Sequence, residues 1–163
     1  MRLRGDWKGA SFWQEQLNLQ MYSGEVIVNG GEAGALAEGA VIGSHRNFRH
    51  AQKPGELMAS ASGTYMYSCC SFVKKFAGNW VDAKDLYLGL QFQISGQTHY
   101  GWARVSVTAK EYEHISAILS GYAYETIPGQ QILAGQRSGT ADDPVFVNTS
   151  AGGGSLGALA RGR

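Results

Sequence analysis

Between residues 87 and 107, in "YLGLQFQISGQTHYGWARVSV", apolar and polar positions alternate. Leu88, Leu90, Phe92 and Ile94 fall on one side, with Tyr87, Gly89, Gln91 and Gln93 on the other. A period of two is that of a half-buried antiparallel strand. Ser95-Gly96-Gln97 then turns the chain. On the return strand Gly101, Ala103, Val105 and Val107 share a face, and Tyr100, Trp102, Arg104 and Ser106 lie opposite. Small residues of the second strand can pack beneath bulky ones of the first, so the pattern predicts a hairpin.

The same period recurs elsewhere. Leu17, Leu19 and Met21 alternate with Asn18 and Gln20, and after Ser23-Gly24 the run Glu25-Val26-Ile27-Val28 leads into Asn29-Gly30-Gly31, which is turn chemistry. Ala40-Val41-Ile42-Gly43 is a short apolar run bounded by glycine, and Lys53-Pro54-Gly55 breaks the chain before the strand-forming Thr64-Tyr65-Met66-Tyr67. One stretch is ambiguous. Tyr112, Ile115, Ile118, Leu119 and Tyr122 follow helical spacing, while Ala117, Leu119, Gly121 and Ala123 alternate; periodicity alone leans to helix. Ile127-Pro128-Gly129 marks a turn, and Gln131-Ile132-Leu133-Ala134-Gly135 a short closing strand.

From Ser138 the apolar content falls, and Asp142-Asp143-Pro144 and Ala151-Gly152-Gly153-Gly154-Ser155 read as a flexible tail that needs something to pack on. The expected fold is therefore all-β: an antiparallel sandwich, jelly-roll-like, in one domain over residues 1–136, with a Gly-rich tail over 137–163. A chain of 163 residues fits one domain and buries roughly two-thirds of its unfolded surface. Its 23 glycines and three prolines agree with short strands and tight turns rather than a helical bundle.

Charge narrows the partners. Lys plus Arg number 14 and Asp plus Glu 13, so the net charge of +1 leaves no footprint for nucleic acid or an anionic membrane. No run of 18 apolar residues occurs, so no transmembrane helix is expected. MRLRGDWKGA carries basic residues with no apolar stretch behind them, unlike a secretory signal peptide, which points to a mature or truncated form or to a cytoplasmic chain.

The hairpin stretch, followed by "LSGYAYETIPGQQILAG", resembles a bacterial secreted β-rich domain that often precedes a PEP-CTERM-type sorting tail. Trp80 before the YLGL strand, Tyr100-Gly101-Trp102-Ala103-Arg104, and Ala123-Tyr124-Glu125-Thr126-Ile127-Pro128-Gly129 carry the likeness. With Gly39-Ala40-Val41-Ile42-Gly43 it spans about residues 36–136. The resemblance implies export to the extracellular space or cell surface, and it tips residues 112–124 toward strand. Ser155-Leu156-Gly157-Ala158-Leu159-Ala160 is similar to the opening of such a sorting segment, but no long apolar span or Pro-Glu-Pro triplet precedes Arg161-Gly162-Arg163.

Chemistry-bearing motifs are sparse, and no catalytic machinery is expected. Gly153-Gly154-Ser155-Leu156-Gly157 satisfies G-x-S-x-G and Gly152, Gly154 and Gly157 satisfy G-x-G-x-x-G, yet neither has the strand and helix its chemistry requires. Arg4-Gly5-Asp6 is a chance tripeptide outside an animal extracellular setting. His45, His50, His99 and His114 lack ligand spacing. No metal or other cofactor is therefore assigned, although Asp82 and Asp85, or Asp142 and Asp143, are candidates for calcium. Adjacent Cys69 and Cys70, with Cα atoms about 3.8 Å apart, sit closer than an ordinary disulfide allows. They read as reduced thiols, a strained vicinal bridge or a bond to another chain. Glu125 is a candidate acid without a nominated second carboxylate, and its structural reading is a pair with Arg104 across neighbouring strands.

Tyr100, Trp102, Tyr122 and Tyr124 then form an aromatic strip that reads as one wall of a core, as a sugar-stacking surface or as a subunit contact. The function expected is a structural or adhesive surface component that binds copies of itself. Val145, Phe146 and Val147 in the tail would add a strand to a neighbour's sheet. The alternative is a carbohydrate-binding module that holds extracellular polysaccharide on the aromatic strip.

Overall fold

Ser95 and Gly96 both adopt positive φ, 50° and 78°, closing a two-residue turn of the kind that suits the twist of a hairpin. The strands it joins are β9 (Leu86–Ile94) and β10 (Gln97–Thr108), antiparallel from Gln97↔Ile94 to Val105↔Leu86. The computed structural model describes residues 5–7, 10–52, 55–66, 71–109, 115–136 and 145–147. Among them the protein is all-β and sandwich-like, with no helix.

The remaining strands, in chain order, are β1 (Gly5–Trp7), β2 (Ala10–Leu19), β3 (Glu25–Asn29), β4 (Glu32–Ala33), β5 (Val41–Ile42), β6 (Phe48–Arg49), β7 (Glu56–Met66), β8 (Ser71–Ala77), β11 (Ser116–Tyr124), β12 (Ile132–Leu133) and β13 (Val145–Val147). They form a four-stranded sheet β1-β2-β7-β8, a seven-stranded sheet β13-β11-β10-β9-β3-β4 with β6 also on β3, and a small β12-β5 sheet. All pairings are antiparallel.

Two cores share the large sheet. Toward the four-stranded sheet, Val26, Val28, Leu88, Ala103, Val105 and Val107 pack with Met58, Ala59 and the fully buried Trp80, whose Nε1 donates to the Ala33 carbonyl at 3.0 Å. On the opposite face Ile27, Tyr87, Tyr100, Trp102 and Ala123 are covered by Ile42, Ile132 and Ala134 of the small sheet and its flanks. This explains the unbroken apolar run of β3. Val26 and Val28 enter one core and Ile27 the other, so all three are buried, as in a strand covered on both faces.

Residues 116–124 are strand, not helix, and their helical spacing has a physical source. Arg104 pairs with Gly121 and Val105 with Leu119, so Ser120 is an extra residue, a β-bulge. The bulge puts Leu119 and Tyr122, three positions apart, on the same inner face, and both pack on the first core. Ile118 points the other way and is 66% exposed, which a core-facing helix would not permit.

Candidate functional site

The four rings expected to make one strip are divided between the two faces of the large sheet. Tyr100 and Trp102 face the second core and are 4% and 2% exposed. Trp102 meets Tyr87 edge-on at 5.2 Å, and Phe48 lies 5.7 Å from Tyr100. Rings so covered offer solvent no flat face on which a sugar could stack. Tyr122 pairs with Ala103 and Tyr124 with Gly101, on the other side, where Tyr122 joins the first core and Tyr124 meets the edge of Phe92 at 5.7 Å. Alternation pairs the rings correctly within each strand, but Trp102 lies opposite Ala123 rather than Tyr124, so the two pairs fall on different faces.

Glu125 is 2% exposed but does not reach Arg104. Its Oε1 accepts from Ile127 N at 3.1 Å, its own N–H donates to the Tyr100 carbonyl at 2.8 Å, and its carbonyl accepts from His99 Nδ1 at 2.9 Å, so Nδ1 carries the proton. Arg104 instead donates from Nε to Ser120 Oγ at 2.8 Å. The expected pair fails on register: Arg104 lies opposite Gly121, four residues short of Glu125. Glu125 therefore caps the turn ahead of Pro128-Gly129.

The aspartates considered for calcium brace a loop. Asp82 and Asp85 take positive φ, 52° and 51°. Asp82 Oδ1 accepts from Ala109 N at 3.1 Å, while Asp85 N donates to Ser106 Oγ at 2.9 Å. No group of three or more His, Cys, Asp or Glu set to hold a metal occurs among the described residues. Cys69, Cys70, His114, Asp142 and Asp143 lie outside the described residues.

Two surface features remain. At the outer edge of the large sheet, β13 pairs with β11 through Tyr122↔Val147, Ala123↔Phe146 and Tyr124↔Val145. Trp102 Nε1 donates to the Gln136 carbonyl at 3.3 Å. The sequence pointed to Val145–Val147 as a strand added to a neighbour's sheet; here the segment pairs with β11 of its own chain. Against known families, curated proteins and solved structures, nothing matches this chain.

The second feature is a groove of about 300 Å³ where β3 meets β9, lined by Ser23, Gly24, Glu25, His50, Gln91, Phe92 and Gln93. Sequence reasoning missed it because Ser23-Gly24 read only as a break between strands and Gln91 and Gln93 only as solvent-facing positions. Their convergence depends on Glu25↔Gln91 pairing, which no local pattern encodes.

Proposed function

We propose that the protein is an exported, non-catalytic structural subunit of the bacterial surface that associates with copies of itself by exchanging strand β13. The observation that supports this is the ladder of three residue pairs on the edge of β11. Each backbone hydrogen bond in such a ladder contributes only about 0.5–1.5 kcal/mol net, so a three-residue strand detaches readily.

Reach favours exchange as well. Phe146 lies in the same row as Ala123 and Trp102, two strand spacings, or about 10 Å, from the backbone of Trp102, whose indole holds Gln136. Ten residue steps of extended chain span roughly 33 Å. The extended length exceeds that spacing, and the same ladder forms on a neighbour's β11 without loss of any pairing, the low-cost route of strand swapping. Export rests on the likeness of residues 36–136 to secreted β-rich domains.

Multi-angle light scattering of the full chain over a concentration series tests the reading. The mass is expected to rise above that of one chain, and to return to it when Val145→Gly, Phe146→Ser and Val147→Gly are combined. A native chain that stays monomeric at every concentration would overturn it.

A further inference from the structure

The groove beside β3 has a construction that suits a particular ligand chemistry. β3 pairs with β9 only through Glu25↔Gln91 and Val26↔Leu90. Immediately before Glu25 the chain turns away at Gly24, whose φ of 88° and close approach to the Gln91 carbonyl, 2.8 Å from an added Cβ, exclude a larger residue. That departure leaves the space beside Phe92 and Gln93 unfilled by β3. His50 forms the far wall and is held there by a bond between Nδ1 and the Gly24 carbonyl.

The lining is a compact set of mixed donors and acceptors. Gln91 Nε2 donates to Glu25 Oε2 at 3.3 Å, which sets a carboxamide beside a carboxylate, and the exposed Ser23 and Gln93 stand at the lip. The Phe92 ring is engaged with His99 and Tyr124 on the inner side, so the groove offers polar groups rather than an aromatic platform. No Lys or Arg lines it, and Glu25 supplies negative charge. An anion is therefore disfavoured, and an apolar ligand would leave the amides and carboxylate unpaired. Hydroxyl groups both donate and accept, so a ring bearing several of them can satisfy this array. The volume lies at the lower end of the roughly 300–1,000 Å³ of small-molecule sites.

We propose that this groove is a subsite for a neutral saccharide, one sugar ring setting its hydroxyls against Glu25 and Gln91 with Gln93 and Ser23 closing over the rim. The proposal is independent of strand exchange, since β13 lies across the sheet at the opposite edge.

Nitrogen-15 amide spectra of the full chain, titrated with cellohexaose, xylohexaose and mannohexaose, and separately with oligogalacturonate and a chitosan hexamer, provide the test. At least one neutral oligomer is expected to shift the amides of residues 23–25, 50 and 91–93 saturably. Gln93→Ala, at an exposed position, and Glu25→Gln, which keeps an acceptor for Gln91, are each expected to weaken that binding by roughly fivefold to tenfold while the melting temperature stays unchanged. Shifts centred elsewhere, a preference for either charged oligomer, no response to any neutral one, or undiminished binding by Gln93→Ala would each overturn it.

Discussion

Gly89 lies opposite Trp102 on the second-core face of β9, where an added Cβ would run into the side chain of Ile27 and come within 3.1 Å of Leu36. Because Ile27 is only 3% exposed and cannot yield to solvent, Gly89→Val is expected to cost about 1–3 kcal/mol in urea unfolding, the usual penalty of overpacking. Gly96 in the hairpin turn has nothing within 4 Å of an added Cβ, and its φ of 78° is one that asparagine tolerates. Gly96→Asn should therefore leave stability nearly unchanged. At Glu125 the informative comparison is between two replacements. Glu125→Gln keeps an acceptor for Ile127 N and should unfold near the native midpoint, whereas Glu125→Ala strands a backbone donor and should lose about 1–3 kcal/mol. Single residues were the least legible scale. Alternation placed Tyr100 and Trp102 on one face correctly, but whether that face was wet depended on Ile42, Ile132 and Ala134, which approach from distant parts of the chain.

Elements were easier to read, because a strand advertises its period locally. The β9–β10 hairpin, β3 and its Gly30-Gly31 turn, and the pairing partners β5 and β12 all coincide with short apolar runs punctuated by glycine. β11 misled periodicity through one inserted residue. Deleting Ser120 separates the two descriptions. In a bulged strand the deletion leaves Leu119 opposite Val105 and Tyr122 opposite Ala103, so the protein should still fold, losing roughly 1 kcal/mol with the Arg104 partner. In a helix the same deletion would rotate every preceding side chain by about 100° and break the buried stripe. Circular dichroism with thermal melting distinguishes these outcomes. β8, with the sequence Ser-Phe-Val-Lys-Lys-Phe-Ala, had no clean alternation to announce it; it pairs along β7 from Met66↔Ser71 to Ser60↔Ala77.

For the whole molecule, the expectation of two packed sheets captured half of the design. A third layer, the β5–β12 pair with its flanking loops, seals the aromatic face, tied down by paired bonds between Leu36 and Tyr87 and by those from Gly39 and Ala134. Trp102→Ala should consequently behave as a core truncation, losing about 3–5 kcal/mol and its near-ultraviolet dichroism. Its two strands were legible as apolar runs, but no local pattern could show that they pair, since Ile42 and Ile132 are 90 positions apart. The same fold holds Gln136 at Trp102 and pairs the three residues of β13 with β11, the arrangement on which the proposed self-association rests. The most direct test uses two chains with Cys69→Ser and Cys70→Ser, one carrying Ala123→Cys and the other Phe146→Cys. Mixed and treated with a short thiol cross-linker, they should yield a covalent heterodimer joined at those two positions. A mixture that yields no covalent heterodimer, while a single chain carrying both Ala123→Cys and Phe146→Cys is cross-linked within itself, would contradict exchange of β13.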